Sequence, residues 1–354
     1  MLFRSNNTIT YSLDASSNGK FAIHPSTGVV TLASSVLNTE NETLSIIVRA
    51  TSSDGSTAVQ SFNIQVRTVI DLVGTASADQ FVINHLGGNQ WSVSLNGTQV
   101  FNGSIFGSGM LRIDGGQGTD SLSINGTSGS DNFLVLDDRV TLNGLDIANI
   151  QVENRSLWGL GSADTFRIQS SLQGVYGGDG RDRFLLPDTA STVGILDGGN
   201  DYDTLDYSLR TGPITTTVGS ASSSGVTQMT GIDSIVGSQA SDTLLGQNQQ
   251  TDWAIYGENV VQVNLIDYSS FENIQGGTNI DRFQLWNGSA KMSGVVNGGD
   301  GNDRLTAFNN ANTWQLTGAK AGSIQNVLGF TDVESLIGGS GDDRFLAQAG
   351  AMFA

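Results

Sequence analysis

The stretch Gly177-Gly178-Asp179-Gly180-Arg181-Asp182-Arg183-Phe184-Leu185 contains the pattern that decides the fold of this chain. An apolar residue stands two positions before the first glycine, an aspartate five positions after it, and an apolar residue two positions after that aspartate. The pattern recurs ten times between residues 70 and 350, with aspartates at Asp79, Asp120, Asp131, Asp164, Asp182, Asp203, Asp242, Asp281, Asp303 and Asp343. Such a fixed recurring motif is typical of a repeat protein.

The spacing of the motif gives the size of the repeating unit. Leaving Asp131 aside, every interval between successive motif aspartates is close to one or two multiples of about 20 residues. Short β-branched runs between glycine and aspartate corners cannot bury an apolar face alone, so they must stack on their neighbours. The sequence therefore predicts an all-β protein in which residues 68–354 form a β-solenoid, a parallel β-helix with about 20 residues per coil.

Composition limits the partners of this chain. Its net charge is -18 with only three lysines, which argues against nucleic acid and anionic membranes as partners and favours cations. Cysteine is absent, so neither a disulfide framework nor a thiolate metal site can form. No apolar run is long enough for a transmembrane helix, so no membrane insertion is expected within this chain. We expect an extracellular or cell-surface protein whose export signal and anchor lie outside this sequence.

Residues 1–67 have a different pattern. Alternating apolar residues at Ile9, Tyr11 and Leu13, and again within 44–48 and 62–66, predict antiparallel strands of a β-sandwich. The segments 9–13, 21–23, 27–30 and 37–40 resemble the later part of a cadherin repeat. That resemblance implies a truncated cadherin-like or Ig-like sandwich at residues 1–67, cut inside a domain, with Glu40 at the position of a calcium-ligating glutamate.

Four copies of the motif match the full nonapeptide Gly-Gly-x-Gly-x-Asp-x-apolar-x. They span 115–123, 177–185, 298–306 and 338–346, and they resemble hemolysin-type (RTX) calcium-binding repeats. In that family, backbone carbonyls and the aspartate hold calcium between coils. The resemblance implies Ca²⁺ as cofactor and partner, bound by these four loops and by the loop 198–206, where Asp201 replaces the third glycine. The implied ligands are the motif aspartates and the second acids of these loops, at Asp120, Asp179, Asp182, Asp201, Asp203, Asp300, Asp303, Asp342 and Asp343.

A structural interpretation of the same aspartates stays open. Each carboxylate could accept hydrogen bonds from its own turn, as in Asx turns, while the flanking apolar residues stack into the core. Under that interpretation the solenoid is a metal-free structural spacer.

The sequence offers no catalytic constellation, and we expect a protein that is not an enzyme. His24 and His85 are the only histidines, and we expect both at the surface. The function predicted first is a structural or adhesive module of a large cell-surface protein, stabilised by calcium, with a surface glycan or protein as a further partner.

A second hypothesis is a carbohydrate-binding or carbohydrate-active parallel β-helix. Trp91, Trp253 and Trp314 follow the motif aspartates Asp79, Asp242 and Asp303 at nearly the same interval, so they are expected on one face of the solenoid. An exposed aromatic row of this kind can stack on sugars.

Overall fold

The computed structural model describes residues 8–14, 19–33, 43–65, 69–106, 109–187, 192–325 and 327–351. Within these ranges the chain consists of strands and turns and contains no helix, so the predicted all-β class is confirmed. The predicted boundary between residues 67 and 68 falls at positions outside the described residues, and so does Glu40.

The N-terminal region forms two small antiparallel sheets. In the first, β4 (Thr43–Ser52) lies between β1 (Ile9–Leu13) and β5 (Thr57–Gln65). In the second, β2 (Phe21–Ile23) pairs with β3 (Val30–Leu32). The three strands that apolar alternation predicts in this region are therefore present.

The rest of the described chain is built from three larger sheets. The long sheet contains β6 (Val69–Val73), β10 (Met110–Asp114), β12 (Asn132–Val135), β13 (Arg139–Leu142), β14 (Leu145–Ile150), β16 (Thr165–Ile168), β18 (Arg183–Leu185), β20 (Thr204–Asp206), β23 (Ser234–Val236), β25 (Thr251–Gly257), β26 (Val260–Val263), β27 (Ile266–Ser269), β29 (Asp281–Leu285), β31 (Arg304–Thr306) and β35 (Ser335–Ile337). Its 15 strands, spaced about 4.8 Å apart, give the sheet a width of roughly 67 Å.

Two shorter sheets accompany the long one. The first short sheet contains β7 (Gln80–Gly87), β8 (Gln90–Leu95), β9 (Thr98–Ser104), β11 (Ser121–Asn125), β15 (Asn154–Gly161), β17 (Leu172–Asp179), β19 (Val193–Asn200) and β22 (Val226–Thr230). The second short sheet contains β21 (Thr215–Thr217), β24 (Thr243–Leu245), β28 (Asn273–Gln275), β30 (Val295–Asn297), β32 (Thr313–Gly318), β33 (Ala321–Ile324), β34 (Leu328–Thr331) and β36 (Arg344–Ala347). The motif corners lie where the chain passes from one of these sheets to another.

Parallel stacking places like residues above one another. Phe133, Phe166 and Phe184 are register partners on successive strands of the long sheet, and their rings stack with centroids 4.7 Å and 5.0 Å apart. All three side chains are completely buried. The apolar residue two positions after the motif aspartate therefore belongs to the solenoid core at nine of the ten motifs; the exception is Phe345 in the last described coil, which is 48% exposed.

Intervals of about 40 residues between motif aspartates predict two coils of about 20 residues each, and the structure differs from that prediction in four of these long intervals. The intervals that follow Asp79, Asp120, Asp242 and Asp303 do not contain a second coil. They contain antiparallel three-stranded meanders instead, formed by β7–β9, β12–β14, β25–β27 and β32–β34. Tight hairpin turns reverse the chain, as at Asn96-Gly97 and Asn143-Gly144, where all four φ angles are positive.

Candidate functional site

The Gly-Asp corner, defined as the segment from the motif glycine to the motif aspartate, is the recurring polar site of this fold. At the corner between β17 and β18, the side chain of Asp182 is directed into the protein and the residue is only 1% exposed. Its Oδ1 accepts a hydrogen bond from the backbone N–H of Asp164 in the preceding coil at 2.7 Å. Its own N–H donates to Oδ1 of Asp203 in the following coil at 2.8 Å. Asp182 therefore links three successive coils.

The same bond recurs from coil to coil, and we call each resulting column a carboxylate ladder. In every rung, the backbone N–H of one acid donates to a side-chain oxygen of the acid in the next coil. The longest ladder runs through Asp131, Asp164, Asp182, Asp203 and Asp233. Shorter ladders run through Asp79, Asp120 and Glu153, through Asp242 and Glu272, and through Asp281, Asp303 and Glu334.

A side-chain donor occupies the start of three ladders. Because no preceding acid donates its N–H to the first aspartate, Oδ1 of that aspartate needs another partner. Asn96 Nδ2 donates to Asp79 at 2.6 Å, Asn143 Nδ2 donates to Asp131, and Trp253 Nε1 donates to Asp281 at 2.9 Å. Sequence reasoning did not assign these roles.

An acid outside the glycine motif occupies the end of four ladders. Glu153, Asp233, Glu272 and Glu334 accept the last N–H without having a motif of their own. These residues share a short signal that the sequence analysis missed, in which an apolar residue precedes the acid and Asn or Ser follows it. The residue two positions before each acid, exemplified by Gln151 at φ 52°, has left-handed backbone.

The motif glycines are explained by the closeness of neighbouring coils. A Cβ on Gly276 would collide with the carbonyl oxygen of Gly298 in the next coil and would lie 2.6 Å from Oδ2 of Asp281. The second glycine of a full motif faces the opposite way. Gly178, with φ at 111°, lies so close to the carbonyl of Leu160 in the preceding coil that a Cβ there would collide with it.

This geometry distinguishes corners with the full nonapeptide from corners with a degenerate copy, in which the second glycine is replaced by another residue. A residue with left-handed backbone occupies the second motif position where a coil precedes the corner; it is glycine at Gly116, Gly178 and Gly299 and leucine at Leu160. At the ladder starts Asp79, Asp131 and Asp242, the equivalent residue is Thr or Ser and its N–H donates to Oδ2 of the aspartate. The full nonapeptides at 115–123, 177–185 and 298–306 therefore lie inside a ladder, whereas the copy at 338–346 lies in the last described coil, between the edge strands β35 and β36. At the three corners with Thr or Ser, the degenerate copy marks the first coil of a ladder.

Inside the ladders, one carboxylate oxygen has no donor. Oδ2 of Asp120, Asp164, Asp182, Asp203 and Asp303 is buried and accepts no hydrogen bond from the described residues. Burial raises the pKa of Asp164 and Asp203 to about 7 and that of Asp182 and Asp303 to about 6. The ladder starts differ from one another: hydrogen bonds from the backbone N–H of Thr75 and the side chain of Asn96 lower the pKa of Asp79, whereas burial raises the pKa of Asp281.

The predicted calcium ligands fall into two groups. Asp120, Asp182, Asp203 and Asp303 are buried in the ladders. The other predicted ligands lie nearer the surface of the corners. Asp343 is half-buried, and the exposed ones are Asp179, Asp201, Asp300 and Asp342. Asp179 and Asp201 are close in adjacent coils, since Asn200 Nδ2 donates to Asp179 at 2.8 Å and the N–H of Gly180 donates to Asp201 at 3.1 Å.

The side chains at these positions can be compared with the needs of a calcium site. Calcium takes six to eight oxygen ligands, whereas the described residues contain no group of three or more acidic or histidine side chains arranged to hold a metal. A polar groove at the corners, about 780 Å³ in volume, is lined by Asp300, Asp332, Glu334 and Lys320 together with glycine backbone. One of its acids is already paired, because Lys320 Nζ lies 2.6 Å from Glu334. Calcium binding stays a prediction.

The aromatic and histidine predictions can be compared directly with the structure. Trp91, Trp253 and Trp314 are each at most 3% exposed, so these three rings belong to the core and offer no sugar-stacking face. The expected surface position of His85 is wrong: its imidazole is buried, stacks on Trp91 with centroids 4.2 Å apart, and bonds the carbonyl of Gly88. His24 is exposed, as expected.

Comparisons with family models, with curated proteins and with solved structures give no match to this chain. The cadherin-like and hemolysin-type resemblances therefore stay predictions. The described residues include no helix that could span a lipid bilayer.

Proposed function

We propose that this chain is a non-enzymatic structural module of an extracellular cell-surface protein, in which the stacked coils act as a rigid spacer. One observation carries the proposal: seven of the ten motif aspartates, which are the most regular chemical feature of the sequence, use their side chains to bind the backbone of a neighbouring coil. Asp182 and Asp203 are examples. Recurring acids that link coils have a structural role, and that role needs no substrate.

The structural role also accounts for the regular spacing within the motif. A coil can add to the stack only if it presents a glycine where the neighbouring carbonyl approaches and an acid where the neighbouring N–H points. Both requirements recur once per corner, at Gly177 and Asp182 for example. A spacer of this kind would hold an adhesive domain away from a cell surface. The partner of that domain would be a glycan or a protein.

Calcium stabilisation is the second candidate, and the unpartnered buried oxygens favour it. Oδ2 of Asp182 and Oδ2 of Asp203 lack donors among the described residues, and the exposed carboxylates of Asp179 and Asp201 lie in the same two corners. A bound cation would compensate this negative charge. A proton on Oδ2 would do the same, and the raised pKa values favour that alternative below about pH 6 at Asp182 and below about pH 7 at Asp203.

Thermal unfolding of the full chain in a calcium titration, with magnesium as the control ion, separates the two candidates. The metal-free spacer predicts no calcium-specific change in Tm up to about 10 mM, which exceeds the usual affinity range of extracellular modules. The calcium-stabilised module predicts a rise in Tm that is abolished in the double variant Asp179→Asn, Asp201→Asn. That variant leaves the carboxylate ladder intact, so a lost response would report ion binding and not a lost fold.

A further inference from the structure

A pair of aromatic rings lies on the outer face of the first short sheet. Trp158 on β15 and Tyr176 on β17 are register partners, so their side chains leave the sheet next to each other. Their rings stack with centroids 3.8 Å apart and planes inclined by 11°. The two rings form one continuous aromatic block on the surface of the solenoid.

This pair differs from the other stacked rings of the described chain. Every other stacked pair, such as Phe133 with Phe166 or Trp253 with Phe283, contains a ring that is buried in the core. Trp158 remains 38% exposed, and Tyr176 is half-buried. Core packing therefore explains the other pairs but does not explain this one.

The surroundings of the pair are open and carry one acid. Gly178 and Gly199 line a surface cavity of about 210 Å³ beside the rings, with Asp197 as its only charged side chain among the described residues. Asp197 is the register partner of Tyr176 on β19. Its Oδ1 accepts a bond from Thr230 at 3.3 Å, and its Oδ2 accepts none from the described residues.

We propose that Trp158, Tyr176 and Asp197 form a binding site for a neutral glycan whose pyranose rings have flat apolar faces, as in β-1,4-linked glucose or N-acetylglucosamine. A pyranose ring would stack on the aromatic block, and its hydroxyl groups would donate to Oδ2 of Asp197. Apolar surface with a few convergent polar groups is the usual composition of a small-molecule site. The site is independent of any calcium at the corners.

Charge restricts the glycan to a neutral one. The chain carries a net charge of -18, and the exposed carboxylates of Asp179 and Asp201 belong to the corners that follow β17 and β19. A polyuronate would meet like charge at the site, which weakens association unless a cation bridges the two partners.

The test is saturation-transfer NMR and calorimetry of the full chain with three tetrasaccharides: β-1,4-linked glucose, β-1,4-linked N-acetylglucosamine and a galacturonate. The variant Trp158→Ala removes half of the block. The matched control is Trp286→Ala, because Trp286 is 66% exposed and lies outside the aromatic block. Asp197→Ala provides a second variant that leaves both rings in place.

We expect at least one neutral tetrasaccharide to bind, with affinity reduced about ten-fold by Trp158→Ala and by less in Asp197→Ala, and unchanged in Trp286→Ala. Tighter binding of the galacturonate than of both neutral sugars would overturn the proposal. An affinity that is unchanged in both Trp158→Ala and Asp197→Ala would also overturn it. So would the absence of binding by both neutral sugars at about 10 mM, which would leave the rings as a protein contact surface.

Discussion

The backbone N–H of Asp182 donates to Oδ1 of Asp203, an acceptor 21 residues further along the chain and 2.8 Å away. The bond joins equivalent positions of two successive coils, so it connects repeats rather than closing a turn. Because both groups are buried, losing the acceptor would leave a buried N–H without a partner. That loss costs roughly 1 to 3 kcal/mol.

The first prediction concerns this bond type. Asp182→Ala removes the acceptor of the Asp164 N–H, and we expect the free energy of unfolding to fall by about 2 to 3 kcal/mol. Asp182→Asn retains an acceptor oxygen and should cost less than about 1 kcal/mol at pH 7. Urea unfolding measures both values.

Asp179→Ala is the control for that experiment, because Asp179 lies in the same corner but is exposed. It should change stability by no more than about 0.5 kcal/mol. Equal losses for Asp182→Ala and Asp179→Ala would contradict the ladder as the source of stability.

A second prediction uses a strained residue. Leu160 occupies the position of the second motif glycine with φ at 80°, a left-handed conformation, and its side chain is largely exposed. Left-handed backbone costs a non-glycine residue about 1 to 2 kcal/mol, part of which is offset by the flexibility of glycine in the unfolded chain. We therefore expect Leu160→Gly to stabilise the protein by about 0.5 to 1 kcal/mol, measured by urea unfolding.

Leu160→Ala controls for the loss of the leucine side chain, because alanine removes the same contacts but keeps the strain. If Leu160→Ala stabilises the protein as much as Leu160→Gly does, backbone strain is not the cause.

A third prediction replaces a motif glycine by alanine, the reverse of the change at Leu160. Gly178 has φ at 111° and faces the carbonyl of Leu160, so Gly178→Ala introduces both strain and a collision. We expect a loss of at least about 2 kcal/mol in the free energy of unfolding. Gly144→Ala, at a hairpin tip with φ at 89° but open space around the Cα, should cost less, and the difference between the two variants measures the collision.

The fourth prediction is a pH dependence. The pKa of Asp164 is raised by burial from its ordinary value of 3.8 to about 7 in the folded protein. The folded state therefore binds this proton more tightly than the unfolded state, so stability is highest below the unfolded pKa and declines as pH rises through the folded value. We expect Tm to fall between about pH 5 and pH 8.

Asp164→Asn removes the titrating group while keeping an acceptor oxygen. The Tm of this variant minus the Tm of the parent chain should therefore be more positive at pH 8 than at pH 5. A parent chain whose Tm rises over this range, or an Asp164→Asn variant with the same pH slope as the parent, would count against a protonated ladder.

The corners could be predicted from the sequence because their requirements are local. A glycine, an aspartate five positions later and an apolar residue after that indicate a turn followed by a buried strand, as at Gly177, Asp182 and Phe184. The all-β class follows from the same repetition. The hydrogen-bond partners of the motif aspartates could not be predicted, because they lie in other coils. The partner of Asp182, for example, is fixed by the register in which the coils stack.

Two missed features had signals in the sequence. Asn96-Gly97 and Asn143-Gly144 are typical of two-residue hairpins, and they indicate the meanders that replace second coils. The pairs Glu153-Asn154 and Glu272-Asn273, each after an apolar residue, mark ladder ends. The outward direction of Trp158 follows from the buried motif residue Leu157 beside it, because successive residues of a strand face opposite sides. Its stacking on Tyr176 could not be predicted, because that contact depends on the register between coils.

The carboxylate ladder has a direction, since every rung runs from an N–H to the acid of the coil that comes later in the chain. A stack that has formed only as far as Asp182 presents an unfilled donor at its growing edge, and the coil containing Asp203 fills it. The completed part thereby serves as a template that selects the next coil by its acid. Such a protein can assemble vectorially, one coil after another, in the order in which the chain is delivered.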